Sequence, residues 1–192
     1  MFLLIIGASG SGKSEYAESR AAELAGRGSD TGSRESILNR KLYYAATMEP
    51  FGEEGRQRIA RHQKLREGKG FCTIECYTDI KSIAVEKDAT VLLECMSNLL
   101  ANELYREDGM KSRKEPVTEG ILSDVEELVH RCKNLVIVTN DVFGDDGIYE
   151  ETVSEYIKML GALNRQLAKR ADEVVEVVYS VPVLLKERNQ VV

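Results

Sequence analysis

Hydrophobic positions along this chain follow two alternating rhythms. Residues 2–6, 41–46, 71–76, 90–94, 135–139 and 174–179 are short runs rich in Leu, Ile, Val and Tyr. Continuous apolar runs of this length predict strands buried in a parallel sheet. Between them the period lengthens. Val117, Ile121, Leu122, Val125, Leu128 and Val129 make one stripe over residues 116–131, and Val153, Tyr156, Ile157, Leu160, Leu163 and Leu167 make another over residues 150–171. Both match the 3.6-residue turn of an α-helix. Further helices are predicted over residues 14–25, 53–67 and 97–105, with a short one near 79–86. The tail from Ser180 reads as a strand pairing at a sheet edge.

Strand–helix alternation predicts an α/β fold with a mostly parallel sheet, helices on both faces and right-handed crossovers. Residues 1–192 read as one domain with no internal repeat. Residues 26–40 are polar, with three glycines, and residues 27–40 read as a mobile insertion. Residues 106–115 and 140–149 read as polar loops. The helix over 53–67 has little apolar content beyond Ile59, Ala60 and Leu65. It is too polar for the core, so it is expected to be exposed or to stand at a site or subunit boundary.

Composition narrows the function classes. The net charge is −6 with 30% charged residues, and no basic run is interleaved with aromatics. That argues against a nucleic-acid surface. The first apolar run is too short for a membrane span and lacks a basic leader, so a cytoplasmic protein is expected. Cys72, Cys76, Cys95 and Cys132 fit neither a metal-site spacing nor a disulfide framework and are expected to be buried, reduced thiols. Cys72 and Cys76, four apart in one predicted strand, are expected on the same face.

The first strand leads into Gly7-Ala8-Ser9-Gly10-Ser11-Gly12-Lys13-Ser14, which matches G-x-x-x-x-G-K-[ST]. Strand, glycine-rich loop and helix follow in the order a phosphate-binding loop needs. Glycines let backbone N–H groups converge on phosphate oxygens, and the helix N-terminus adds partial positive charge. Lys13 is placed to reach the β- and γ-phosphates, and the Ser14 hydroxyl to help hold Mg²⁺. The fold class is therefore P-loop NTPase-like.

Ligands of open α/β sheets sit at the carboxyl ends of the strands. That rule singles out Thr47, Glu75, Glu94, Asn140 and Asp141. Glu94 ends an apolar strand, where an acid often organises Mg²⁺, and Asp141 competes for the same role. In the polar helix Arg58, Arg61, His62 and Arg66 fall at i, i+3, i+4 and i+8 and share one face. A polyphosphate would satisfy three cations there. A solvated face balanced by Glu53, Glu54 and Glu67 would also account for them. His130, beside Arg131 at the end of a helix, reads as a surface residue favoured by the helix dipole.

Together these segments resemble the bifunctional adenosylcobinamide kinase / adenosylcobinamide-phosphate guanylyltransferase family of cobalamin biosynthesis. The matching stretches are residues 7–14, 43–47, 53–66 with an R-I-x-x-H core, 73–75, 91–95 with Asn102 downstream, 138–142 and 164–178. The resemblance covers nearly the whole chain. It implies two reactions: a nucleoside triphosphate phosphorylates adenosylcobinamide, and GMP from GTP then passes to that phosphate through a GMP–histidine intermediate. The family's histidine falls on His62, so His62 and Lys13 are the catalytic candidates. Residues 7–14, Thr47, Arg66, Glu75 and Glu94 are the nucleotide-binding candidates, and Ser14 and Glu94 the Mg²⁺ ligands. The resemblance also implies a homotrimer. Departures are concentrated after the fifth strand, where Asn140-Asp141-Val142-Phe143-Gly144-Asp145-Asp146-Gly147-Ile148-Tyr149 replaces the family's N-E-V-G-x-G-I-V-P. The family's D-C-L-T becomes Glu94-Cys95-Met96-Ser97, and Ala8-Ser9-Gly10 lacks the basic residue common in the family's loop. Two other readings use fewer of these residues: a small-molecule kinase acting on another acceptor, and a GTP-binding regulatory switch. Neither needs His62.

Overall fold

The computed structural model describes residues 1–26, 41–105, 116–141 and 150–187. The insertion expected at 27–40, the loop at 106–115 and residues 142–149 lie outside the described residues, as do the side chains of Glu54, Arg58 and Leu65.

In chain order the elements are β1 (Phe2–Gly7), α1 (Lys13–Leu24), β2 (Leu42–Ala46), α2 (Gly52–Arg66), β3 (Cys72–Glu75), a 3₁₀ turn (Ile80–Ser82), β4 (Thr90–Glu94), α3 (Met96–Leu104), α4 (Val117–Arg131), β5 (Asn134–Asn140), α5 (Glu151–Arg170), β6 (Glu173–Val178) and β7 (Val181–Lys186). The strands form one sheet in the order β3-β2-β4-β5-β1-β6-β7. All neighbours are parallel except β6 and β7, whose antiparallel hairpin makes the tail an edge strand. Because β4, β5 and β1 are parallel neighbours inside the sheet, their ends open onto the same rim. Gly7 lies opposite Asn140, and Ala46 opposite both Glu94 and Glu75.

Alternation along the strands divides the core in two. Phe2, Leu4, Val91, Leu93, Leu135 and Ile137 face one side, where α3, α4 and α5 cover them through Leu99, Leu100, Ile121, Leu128, Leu160 and Leu167. Leu3, Ile5, Leu92, Val136 and Val138 face the other, packed by Ala17, Ala21 and Ala25 from α1 and its end. Leu92 and Leu93 are both fully buried, and truncating either to Ala would cost about 2–5 kcal/mol. The small alanines let α1 lie close to the sheet and bring its N-terminus to the rim.

Three sequence expectations need correction. The helix expected near 79–86 is only the turn Ile80–Ser82. Asp79 has a left-handed φ of 54° and Ile83 is extended. Ile80 and Ile83 are both buried, so packing holds the segment against the core in place of helical continuation. Cys72 and Cys76 do not share a face, and of the four cysteines expected to be buried Cys72 is exposed, while Cys76, Cys95 and Cys132 are buried. β3 ends at Glu75, so the two-residue alternation no longer applies. The Cys76 thiol then turns to the Thr78 carbonyl at 3.2 Å. Burial pushes that thiol's pKa up, as expected of an unreactive cysteine.

Candidate active site

The glycine-rich loop closes tightly between β1 and α1. Gly10 and Gly12 have φ of 75° and 89°, in the region that favours glycine. A Cβ on Gly12 would stand 2.5 Å from the Ser180 Oγ, and one on Gly7 would stand 2.7 Å from the Val177 carbonyl oxygen. The β6–β7 turn therefore leans directly on the loop. Tyr179 and Ser180 both take left-handed φ there (48° and 64°), and the Ser180 N–H donates to the Ser11 carbonyl at 2.7 Å. Lys13 is buried, and its ammonium folds back to donate to the Ala8 carbonyl at 3.1 Å. Burial lowers its pKa, opposed by nearby negative charge that includes Glu94.

Glu94, at the end of β4, is the hub of the site. Its Oε1 accepts from the Ser14 hydroxyl, and its Oε2 accepts from the Tyr44 hydroxyl at 3.1 Å. The His62 Nδ1 stands 3.7 Å from the same Oε1. Burial, followed by the charge of Glu94, drives the Tyr44 phenol's pKa well up, so Tyr44 stays a hydrogen-bond donor. The Arg66 guanidinium lies 3.6 Å from the centre of the Tyr44 ring, a cation–π contact. Phe71 meets the same ring edge-on at 6.0 Å. These contacts dock the C-terminal end of α2 onto β2.

Together these groups line a cleft of about 560 Å³. Ser9, Gly10, Gly12, Lys13 and Ser14 form one wall, Arg61, His62, Gln63 and Arg66 another, and Thr73, Glu75, Tyr77, Asn98 and Asn140 much of the remainder. Glu75 is solvent-facing and accepts from the Tyr77 hydroxyl at 3.0 Å. Asn140 donates to the Ser97 hydroxyl at 2.6 Å.

Some expected residues stand behind the cleft. Gly7 and Ser11 are buried, and Ala8 contributes its carbonyl to Lys13. Thr47 is fully buried. Its Oγ1 accepts from the Cys95 N–H at 2.6 Å and donates to the Cys95 carbonyl at 2.9 Å, while Asn102 holds the Thr47 carbonyl at 2.8 Å. Thr47 thus ties the end of β2 to the end of β4 and fixes the backbone that presents Glu94. Of the two strand-end acids, Glu94 meets Ser14, whereas the Asp141 N–H bonds the Gly7 carbonyl at 3.0 Å. The expected arginine face of α2 divides: Arg66 is buried on Tyr44 and Arg61 is exposed at the cleft.

The structure adds residues that sequence reasoning passed over. Tyr44 reads as an ordinary strand residue. Glu18 lies within the predicted first helix with no role assigned to it, yet it is completely buried, with Lys69 2.5 Å from its Oε2. Burial nevertheless raises the Glu18 pKa. An acid beside Ala17 and Ala21, on the buried face of α1, was the available signal.

Comparisons with known proteins agree on the lineage of this architecture. The model of the family described as cobinamide kinase / cobinamide phosphate guanyltransferase matches residues 3–185. The bifunctional adenosylcobalamin biosynthesis protein CobU of Escherichia coli (strain K12) is 27% identical, and the alignment covers 97% of this chain and 100% of that protein. The protein of the same name from Salmonella typhimurium (strain LT2) is 25% identical over the same shares. Among solved structures an ATPase domain aligns with a TM-score of 0.52 at 10% identity, covering 98% of this chain and 77% of that one. That likeness shows the fold alone, that of a P-loop NTPase. With the phosphate loop, the strand-end acid and a family match spanning nearly its whole length, this chain belongs to the cobinamide kinase / cobinamide phosphate guanyltransferase family.

Proposed function

We propose that this chain phosphorylates adenosylcobinamide with GTP or ATP, and then moves GMP from GTP to the product through a covalent intermediate on His62. The observation that carries this reading is the meeting of His62 and the phosphate loop at Glu94. The His62 Nδ1 lies 3.7 Å from the carboxylate that also takes the Ser14 hydroxyl. A helix otherwise exposed delivers one imidazole to the place where a triphosphate would lie.

The chemistry follows from the groups present. A lone pair on the imidazole attacks the α-phosphorus, and the bond to the bridging oxygen breaks as pyrophosphate leaves. Lys13, released from the Ala8 carbonyl, and the loop N–H groups take up the charge of the leaving group. The acceptor phosphate then attacks the same phosphorus and the P–N bond breaks. Two steps let one nucleotide site serve an acceptor too large to sit beside GTP. For the kinase step the same loop holds the γ-phosphoryl group for the acceptor hydroxyl. Ser14 and Glu94, already in contact, are two hard oxygen donors of the kind Mg²⁺ takes from a phosphate-loop protein, so they fit the ion. When bound there, Mg²⁺ would neutralise charge on the phosphate oxygens. In this reading Glu75, exposed at the cleft with Tyr77, would accept from a nucleobase.

Among the described residues no helix is long and apolar enough to cross a membrane. The reading includes a cytoplasmic setting and the homotrimer that the resemblance implies, which sedimentation would test directly. For the mechanism, intact mass is measured after incubation with GTP and Mg²⁺. A GMP adduct of roughly 345 Da, labile to acid, stable to alkali and absent from His62→Ala, is the expected result. Tight GTP binding without an adduct would instead favour a plain kinase or a nucleotide switch.

A further inference from the structure

Among the described residues four buried polar atoms at this site lack a hydrogen-bond partner; two are the Ser11 Oγ and the Arg66 Nη1, and the other two belong to one cluster. One is the Glu18 Oε1 and the other the His62 Nδ1. Ligand atoms of Glu18, His62 and Glu94 all lie within 4.8 Å of one another. Glu18 is completely buried, and its other oxygen is held by Lys69 at 2.5 Å. An unpaired carboxylate oxygen and an unpaired ring nitrogen in one buried pocket each carry a desolvation cost that a shared proton would remove.

We infer that Glu18 is a positioning residue for His62, accepting the Nδ1–H and so leaving the Nε2 lone pair free at the cleft, with the Glu94 carboxylate adding its charge nearby. The inference rests on the reading of His62 as nucleophile. Which imidazole nitrogen carries the proton is set by the bond the other groups offer it. Here both neighbouring groups are carboxylates, which only accept. Nε2 forms the bond to the α-phosphorus while the bond to the bridging oxygen breaks. The proton stays on Nδ1 throughout, and the carboxylates offset the positive charge of the phosphorylated ring. When the acceptor displaces the histidine, Nε2 recovers its lone pair and no proton needs replacing.

A divalent cation could also occupy three such ligands. The charges around the pocket argue for the proton. Lys69 already pairs with Glu18, Lys13 lies close enough to feel Glu94, and the Glu94 Oε1 is committed to the Ser14 hydroxyl. Arg66 also acts on Glu18, so two carboxylates face three fixed cations. No net negative charge is left to hold a cation among these three ligands, as distinct from the Mg²⁺ that Ser14 and Glu94 would take with the phosphates.

Glu18→Gln gives a sharp test because it keeps the shape. Lys69 would claim the amide oxygen, turning the NH₂ group toward Nδ1. His62 would then have to accept at Nδ1 and carry its proton on Nε2, the attacking atom. The chain has only two histidines, so ¹⁵N-histidine labelling with a His130→Gln control reads His62 directly. The expected spectrum of the chelator-treated wild type shows an Nδ1–H tautomer, and Glu18→Gln shifts it to Nε2–H. Single-turnover adduct formation at saturating GTP falls about 100-fold, with half-saturation changed less than about threefold. A wild-type Nε2–H tautomer overturns the inference whether or not the variant folds. So does a Glu18→Gln protein that guanylylates at the wild-type rate, or a Nδ1 signal that appears only with added Zn²⁺ or Mn²⁺. A wild type that forms no adduct at all, yet shows the Nδ1–H tautomer, instead refutes His62 as nucleophile and leaves the contact standing.

Discussion

The phosphate loop and α2 supply opposite walls of one cleft and are held in opposite ways. The loop is built from backbone. It hangs between β1 and α1, with the β6–β7 turn packed close enough to exclude a side chain at Gly12. α2 is built from side chains. It is mostly exposed, and of its residues with described side chains only Arg66 is buried, docked on Tyr44. Lys69, just beyond the helix, adds a second anchor on Glu18. The difference shows which part of the site is rigid by topology and which is fastened at two points. An anion-binding loop needs fixed N–H groups, whereas a nucleophile that must meet first GTP and then a bulky acceptor can ride on a helix docked at one end.

The largest expected effect tests the loop. Lys13→Ala removes the only cation of the phosphate-loop wall, and both transfer reactions should slow roughly 10³-fold, about 4 kcal/mol, with the melting temperature nearly unchanged. A mild loss would mean that α2, through Arg61, carries the phosphate charge. Next come two glycines compared in one denaturation series. Gly12→Ala meets both a left-handed backbone and Ser180, and should cost about 2–4 kcal/mol. Gly10→Ala has open space around it, so strain alone should cost about 1 kcal/mol. Equal losses would show that the β6–β7 turn does not brace the loop.

Smaller effects test the helix. Arg66→Ala should cost only about 1–2 kcal/mol of global stability, yet slow adduct formation about tenfold by loosening His62. Arg66→Lys should rescue little, because an ammonium cannot stack its plane on Tyr44. If stability and adduct rate fall in strict proportion, α2 is part of the rigid body and the contrast fails. The smallest expected effect is electrostatic. Burial raises the Glu18 pKa, so just above the ordinary carboxylate range the folded chain holds a proton that the unfolded chain has released. Stability therefore falls as pH rises through that window, and is fullest below the unfolded value. Glu18→Gln should flatten this slope in urea titrations run upward from the ordinary carboxylate range. A slope unchanged by the substitution would place the buried charge elsewhere.

Much of this architecture is legible in the chain because it depends on local patterns. Residues 2–6 and 135–139 read as strands since nearly every position is apolar, which is what a sheet covered on both faces requires. The loop 7–14 is legible because its glycines and Lys13 have fixed spacing. What escaped depends on distant partners. Nothing near Glu18 in sequence announces Lys69, which sits beside Gly68 and Gly70, both at positive φ. Thr47 stands in the expected place at a strand end, but its hydroxyl faces Cys95 because the β2–β4 register decides what lies opposite. The short segment after Asp79 failed for the same reason: buried Ile80 and Ile83 outweigh its local helical tendency.

Placing β1 inside the sheet, between β5 and β6, has a consequence for how the protein is made. Its two flanking strands, Asn134–Asn140 and Glu173–Val178, leave the ribosome more than a hundred residues after it, and the serine that braces Gly12 comes later still. At about 5–20 residues per second, the phosphate loop waits roughly ten seconds or more for the later segments that give it shape. Nucleotide binding thus depends on segments made long after the loop: a chain truncated before Glu173 carries every glycine of the loop and lacks the strand that would set them in place.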